Sequence, residues 1–281
     1  MRIRIIAGFA LLLLLPILLF FAASWMLPIA IGIISAAAVQ ELLGATHFAI
    51  KKRIVFYALV FSCSIPVWYF FEISDWLPAE RAQIAVAGLF CFTILLFIEG
   101  IIDHKNITFG IISTVLFTSL IVPVFFSSLV RISETTYGHR HYILLPFAAA
   151  IAADTCAYFT GIFFGKRKLK PDISPKKTVE GAIGGLAGGV VVMILYGLIQ
   201  QFVFHNQVNY PFMALYGVLG SAAAQIGDLS MSLIKREFGV KDFGTLIPGH
   251  GGILDRFDSL LFTAPLFEGL LIFLPALTIS S

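Results

Sequence analysis

Charge is scarce in this sequence. Asp, Glu, Lys and Arg make up 12% of its 281 residues, whereas 59% are hydrophobic, and the mean hydropathy is +0.95. This composition excludes an ordinary water-soluble domain and predicts a polytopic membrane protein. Cysteine is also rare: Cys63, Cys91 and Cys156 lie inside apolar runs without metal-ligand spacing, which argues against a cysteine metal centre.

Common nucleotide and metal motifs are missing too. No GxGxxG dinucleotide fingerprint and no HExxH zinc motif occurs. The run from Gly161 to Arg167 looks like a phosphate-binding loop, but three residues separate its glycines where a P-loop needs four. Arg167 also stands where Ser or Thr would bind Mg²⁺. We therefore reject a P-loop. Separately, we expect no nucleic-acid partner.

Apolar segments follow one another along the whole chain. A membrane helix needs about 20 apolar residues, and nine segments approach that length. They lie at about 5–21, 25–43, 54–71, 82–101, 107–130, 142–164, 181–203, 211–231 and 259–278. We interpret the first as an uncleaved helix, because another span starts directly after it. The expected fold class is an all-α, polytopic integral membrane helical bundle of about nine transmembrane helices.

Lys and Arg are distributed unequally between alternate loops. Sixteen fall on one side of the predicted spans and three on the other. Basic residues favour the cytoplasmic side, so the N-terminus is expected in the cytoplasm and the C-terminus outside, in a bacterial inner membrane. We expect N-terminal transmembrane helices over 1–140 and a C-terminal catalytic region over 141–281. Its loops 165–180 and 232–258 would face the cytoplasm.

The segment 232–258 concentrates the charges that the spans lack. Lysines, arginines and aspartates surround a Pro-Gly-His-Gly-Gly run at 248–252, which cannot continue a helix and lets a ligand approach the backbone. Cations suit phosphate oxygens, and carboxylates suit a metal ion. The mixture therefore predicts a site for a polyphosphate with its metal.

This segment resembles the signature of the phosphatidate cytidylyltransferases, also called CDP-diacylglycerol synthases. The signature is Ser-x-x-Lys-Arg, four residues, Lys-Asp, then Gly, an apolar residue, Pro, His-Gly-Gly and Asp-Arg-x-Asp. It is matched without departure by Ser232, Lys235, Arg236, Lys241, Asp242, Gly244, Ile247, Pro248, His250, Gly251, Gly252, Asp255, Arg256 and Asp258. Residues 174–181 are similar to the family's second motif, Ser-Pro-Lys-Lys-Thr-x-Glu-Gly, and Asp154 opens a similar Asp-x-x-Ala-Tyr-x-x-Gly pattern.

The resemblance implies a nucleotidyltransferase of phospholipid biosynthesis. It would make CDP-diacylglycerol and pyrophosphate from CTP and phosphatidate, with the lipid bilayer as its environment and Mg²⁺ as its cofactor. A second cation and a homodimer are left open.

Three aspartates, Asp228, Asp255 and Asp258, are the predicted metal ligands and catalytic residues, although Asp258 could instead contact the substrate. Asp255 and Asp258 are spaced i, i+3, and Asp228 shares a face with Ser232 and Lys235 if their helix continues to about 237. The catalytic set is completed by the cations Lys235 and Arg236. The expected substrate contacts are Ser174, Lys176, Lys177, Ser232, Lys241, His250 and Asp154.

Several alternatives stay open at this point. Asp154 could pair with a lysine of the neighbouring loop, although a carboxylate inside a span is a functional candidate by default. Glu41 and Glu99 look like charges at helix ends, and Gly181, Gly185 and Gly189 suggest close helix packing. The alternative functions are a CTP-dependent polyprenol or phytol kinase and, from another class, a cation-coupled transporter. Transporters usually show internal repeats, and the first half contains no counterpart of 232–258.

Overall fold

The computed structural model describes residues 24–48, 50–73, 81–134, 140–246 and 251–278. Within these ranges the chain forms eight α-helices, one short 3₁₀ helix and four short strands. The helices are α1 (Met26–Ala45), α2 (Lys52–Ile73), α3 (Arg81–Ile102), α4 (Phe109–Glu134), α5 (Leu144–Phe164), α6 (Val179–Phe202), α7 (Tyr210–Glu237) and α8 (Leu254–Phe273). The 3₁₀ helix is Arg140–Ile143, and the strands are β1 (Lys168–Lys170), β2 (Ser174–Thr178), β3 (Gln207–Val208) and β4 (Leu277–Thr278).

The predicted spans agree with these helices for most of the chain. Seven helical segments of the described residues, those that include α1 to α7, are long and apolar enough to cross a membrane. The all-α, polytopic fold class is therefore confirmed. The predicted first span at 5–21 lies outside the described residues, so the number nine stays a prediction.

The last helix ends earlier than the predicted span of 259–278. Helix α8 stops at Phe273, and residues 277–278 instead form β4, which pairs antiparallel with β3. The Tyr216 hydroxyl lies 2.9 Å from the carbonyl of Leu270 and 2.8 Å from that of Leu274, and it accepts the N–H of Ala276. Pro275 has no N–H with which to extend the helix. The apolar run therefore continues past the point where the helix ends.

The chain forms two compact units. The first contains the described residues of Met1–Glu134 together with those of Phe238–Arg256, and the second contains those of Thr135–Glu237 and Phe257–Ser281. The break near residue 134 lies close to the predicted boundary at 140. The middle of the signature, Phe238–Arg256, belongs to the first unit, so the signature is divided between the two units.

In the first unit, α1, α2 and α4 pack against one another and α3 contacts α2 and α4. The Ser62 hydroxyl, on α2, lies 2.7 Å from the carbonyl of Ala58 and 3.3 Å from that of Ser119 on α4. Phe61 of α2 stacks on Phe92 of α3, with ring centroids 4.2 Å apart. Small polar and aromatic side chains thus hold these apolar helices together.

In the second unit, α6 packs between α5 and α7, and its glycines allow the close approach. A Cβ added to Gly185 would lie 2.9 Å from the carbonyl oxygen of Ala153 on α5, and one added to Gly189 would lie 2.7 Å from that of Gly217 on α7. Both separations are too short for a real side chain, so a larger residue would force the helices apart. The predicted packing role of these glycines is confirmed.

Candidate active site

The second motif forms a hairpin that leads into α6. Thr178 is the N-cap of α6, and its Oγ1 accepts the N–H of Gly181 at 3.1 Å. Glu180 Oε2 accepts the N–H groups of Lys166 and Arg167, at 3.0 and 3.1 Å, and so ties the start of the hairpin to the helix. Capping of α6 therefore explains Thr178, and the hydrogen bonds to Lys166 and Arg167 explain Glu180. A simple basic anchor would require neither residue.

The alternation of the β2 strand separates the two motif lysines. Lys176 is exposed, whereas Lys177 is half-buried and forms an ion pair with Asp228 Oδ2 on α7. The two side chains of the pair are 26% and 24% exposed, so water screens them only in part. The ion pair brings the second motif and the signature helix together.

The end of α7 carries the first residues of the signature. The helix continues to Glu237, as the face shared by Asp228, Ser232 and Lys235 requires, and that prediction is confirmed. Ser232 Oγ lies 3.4 Å from Asp228 Oδ1, one turn earlier. Arg236 Nε donates to the carbonyl of Ile173, at 3.3 Å, so α7 also holds the turn of the hairpin.

A serine that the sequence analysis missed lies between two of the aspartates. The buried Ser259 Oγ is 3.4 Å from Asp154 Oδ2 on α5 and 3.4 Å from Asp258 Oδ1. Since a hydroxyl has one hydrogen, it can donate to only one of the two carboxylates at a time. Asp154 is also attracted by Lys177, whose ion pair is with Asp228. Asp154 therefore belongs to the same polar cluster as the signature.

Asp258 is close to the other charged residues of this cluster. It interacts electrostatically with Asp228, Lys235 and Asp154. A Cβ on Gly227 would lie 2.8 Å from the Asp258 carbonyl oxygen, so α7 and α8 are in contact beside Asp228. We call Asp154, Lys177, Asp228, Asp258 and Ser259 the aspartate cluster of the second unit.

Asp255 belongs to the first unit and braces the signature loop. Its Oδ2 accepts the N–H of Phe243 at 2.8 Å and that of Gly252 at 3.0 Å. Gly251, with φ of +86°, adopts the left-handed conformation that favours glycine, and the Asp255 carboxylate lies beside it. The sequence predicted a metal ligand at this position and did not predict these hydrogen bonds.

Other predicted residues have less defined surroundings. Lys241 is exposed, Ser174 is half-buried, and His250 lies outside the described residues. No group of three or more His, Cys, Asp or Glu side chains is arranged to hold a metal ion within the described ranges. The three-aspartate metal site stays a prediction.

The profile of the cytidylyltransferase family matches residues 2–274. The chain belongs to the cytidylyltransferase family. It is 35% identical over 206 residues to the phosphatidate cytidylyltransferase of Bacillus subtilis strain 168, covering 73% of this chain and 75% of that protein.

Staphylococcal members of the cytidylyltransferase family are similar over a shorter stretch. The phosphatidate cytidylyltransferase of Staphylococcus haemolyticus is 48% identical over 132 residues, which cover 47% of this chain and 49% of that protein. The protein of the same name from Staphylococcus aureus strain COL is 47% identical over 139 residues, 50% of this chain and 52% of its own length.

Membership of the cytidylyltransferase family confirms the predicted family and enzyme class. The chain is a transferase with membrane-spanning helices, and the kinase and transporter alternatives are not favoured. The Lys177–Asp228 ion pair joins the second motif to α7, the helix on which the signature begins at Ser232.

The ion pair leads to a testable prediction. Lys177→Met should leave Asp228 without its cation and reduce kcat/KM by roughly 10- to 100-fold, the effect expected for a charge-assisted contact. Asp228→Asn should reduce kcat/KM by at least the same factor. The double variant should lose less than the product of the two single losses, because the second change removes a partner that is already unpaired.

Steady-state turnover of the purified single and double variants provides the measurement. Lys168→Ala, on the exposed edge of β1, is the matched control and should change kcat/KM by less than about twofold. Losses at 177 and 228 that simply multiply would contradict a functional pair.

Proposed function

We propose that this chain transfers the cytidylyl group of CTP to phosphatidate, producing CDP-diacylglycerol and pyrophosphate. The bilayer would hold the acyl chains of the lipid while its phosphate lies at the interface, where CTP arrives from water. Family membership and the relatives named phosphatidate cytidylyltransferase support the reaction. The observation that carries the proposal is the Lys177–Asp228 ion pair, because it joins the second motif to the signature helix.

The proposed chemistry needs no covalent intermediate on the protein. A phosphate oxygen of phosphatidate attacks the α-phosphorus of CTP, the new P–O bond forms, and the bond from the α-phosphorus to the α,β-bridging oxygen breaks. Pyrophosphate leaves with the electron pair of that bond. Positioning and electrostatic stabilisation then supply most of the acceleration.

Cations of this chain have the corresponding roles in the proposal. Lys176 and Lys241 are exposed and therefore accessible to the phosphates of CTP arriving from water. Lys235 and Arg236, at the end of α7, would stabilise the charge that develops on pyrophosphate. The hydroxyls of Ser174 and Ser232 and the imidazole of His250 are proposed as substrate contacts from their motif positions.

The aspartate cluster fits Mg²⁺ in its donor chemistry. Beside the cation Lys177, the cluster contains carboxylate and hydroxyl oxygens. Mg²⁺ characteristically binds one or two carboxylates together with substrate phosphates and water. We propose Asp228 and Asp258 as those carboxylates, with Asp154 held beside them through Ser259. When bound, the ion would neutralise phosphate charge and polarise the α-phosphoryl group.

Asp255 is proposed as a ligand on weaker grounds than Asp228. Two backbone N–H groups already donate to its Oδ2. These hydrogen bonds give Asp255 a role in holding the loop whether or not it also binds a metal ion.

A Mg²⁺ titration of activity separates these roles. Asp228→Asn and Asp258→Asn each remove one ligand charge, so both should lower the maximal rate and raise the Mg²⁺ midpoint by roughly tenfold or more. Asp255→Asn keeps an acceptor oxygen for the loop, so a structural residue there would leave the Mg²⁺ midpoint unchanged. Near-native activity with an unchanged midpoint in both Asp228→Asn and Asp258→Asn would place the metal elsewhere.

Labelled CTP distinguishes the proposed reaction from a lipid kinase. With purified protein and phosphatidate, radiolabel at the α-phosphate should enter the lipid, whereas label at the γ-phosphate should leave as pyrophosphate. The Asp228→Asn variant provides the background for both labels. Transfer of γ-label to the lipid, without α-label, would overturn the proposal.

We also propose that the N-terminus and the active site face the cytoplasm of a bacterial inner membrane. The sixteen-to-three distribution of Lys and Arg supports this orientation. Single cysteines at Lys170 and Ser281, in a variant without the three native cysteines, should react with an impermeant reagent from opposite sides. Labelling of both from the same side would contradict a C-terminus outside the cytoplasm.

A further inference from the structure

Glu41 has a role that its position near the end of α1 does not predict. The sequence suggested a charge at a helix end, yet the side chain is half-buried against the signature segment of the same unit. Its Oε1 accepts the N–H of Ile253 and its Oε2 accepts the N–H of Leu254, both at 2.9 Å. A carboxylate more than 200 residues away in sequence therefore caps the start of α8.

A carboxylate is well suited to accept the backbone N–H groups at the start of a helix. The first N–H groups of a helix have no partner within the helix, and the helix dipole favours a negative charge at this end. Leu254 begins α8 and Ile253 precedes it. Together with Asp255, which accepts the N–H of Gly252, Glu41 satisfies three successive amides.

Two signature glycines make room for this carboxylate. A Cβ added to Gly244 would lie 2.6 Å from Glu41 Oε1, and one added to Gly252 would lie 2.3 Å from Oε2. A larger residue at either position would therefore push the Glu41 carboxylate away from the amides of Ile253 and Leu254. The sequence suggested that the glycines of the run at 248–252 let a ligand approach the backbone, whereas the group close to Gly252 is the Glu41 carboxylate of the chain itself.

The occupied amides also restrict where phosphate can bind. A helix N-terminus is a ready site for a phosphate, and α8 starts within the signature. Because the amides of Ile253 and Leu254 already donate to Glu41, they are not the donors for the phosphates of CTP. The start of α8 is therefore not the phosphate site that its position within the signature would suggest.

We infer that Glu41 is a positioning residue for the reaction. It fixes the signature loop and the first turn of α8, and so the orientation of Asp255 and Arg256, without contacting the substrates. The kinetic test of this inference rests on the proposed reaction. The hydrogen-exchange test does not, so the inference about Glu41 and the proposed reaction can fail independently.

Hydrogen exchange gives the structural test. In the detergent-purified full-length chain, Glu41→Gln replaces one acceptor oxygen by an NH₂ group that faces an amide donor. Exchange at 252–256 should become at least roughly tenfold faster, the equivalent of one charge-assisted hydrogen bond. The α5–α6 segments should keep their protection. Unchanged exchange at 252–256, or an equal increase throughout the chain, would overturn a local positioning role.

Kinetics gives the second test. Glu41→Gln should lower kcat by roughly tenfold or more while KM for CTP and the Mg²⁺ midpoint change by less than about twofold. A tenfold shift of the Mg²⁺ midpoint would instead make Glu41 a metal ligand and overturn the inference. Asp103→Asn changes a carboxylate of the first unit that pairs with Lys51 instead of the signature loop, and it is the control. It should leave kcat within about twofold.

A third variant tests the same contact from the loop side and leaves Glu41 in place. Gly252→Ala places a methyl group against the Glu41 carboxylate and should reproduce the loss of kcat. Adding Gly252→Ala to Glu41→Ala should cost little further activity, because the shortened side chain no longer occupies that space. A further tenfold loss in that double variant would show that Gly252 serves something other than Glu41, and would contradict the inference.

Discussion

The ion pair between Lys177 and Asp228 is the interaction on which the candidate site of the second unit depends. In an apolar chain a half-buried aspartate is costly unless a cation accompanies it. Lys177 supplies that cation from the hairpin before α6, and Arg236 holds the turn of the same hairpin. These two contacts attach the hairpin to α7, so the second motif lies beside the helix on which the signature begins.

The hairpin itself depends on local capping. Thr178 caps α6, and Glu180 accepts two N–H groups from the residues that enter the hairpin. With the hairpin held by these contacts, the alternation of side chains along β2 exposes Lys176 and turns Lys177 inward. A polar network of this kind holds the Lys177 ammonium beside Asp228, which a flexible basic loop would not do.

Carboxylates in this protein serve two purposes that the residue type alone does not distinguish. Asp228 and Asp258 lie among charged and hydroxyl side chains, as groups that meet a cation or a phosphate would. Glu41 and Asp255 instead accept backbone N–H groups of the signature loop. The same negative charge lies among charged side chains in one place and holds the peptide chain in the other.

The sequence by itself determined the membrane class, most helix positions and the family, because apolar length and motif spacing are local properties. It also placed Asp228, Ser232 and Lys235 on one face, since helical periodicity decides that. Only the tertiary structure decided which partners these groups meet. Glu41 meets the signature loop and Ser259 meets Asp154 through contacts between residues more than 100 positions apart, and no local pattern encodes such a pairing. The end of α8 depends on both: Pro275 is a stop that the sequence itself contains, whereas the carbonyls of Leu270 and Leu274 lie beside the Tyr216 hydroxyl of another helix, a contact that only the tertiary structure shows.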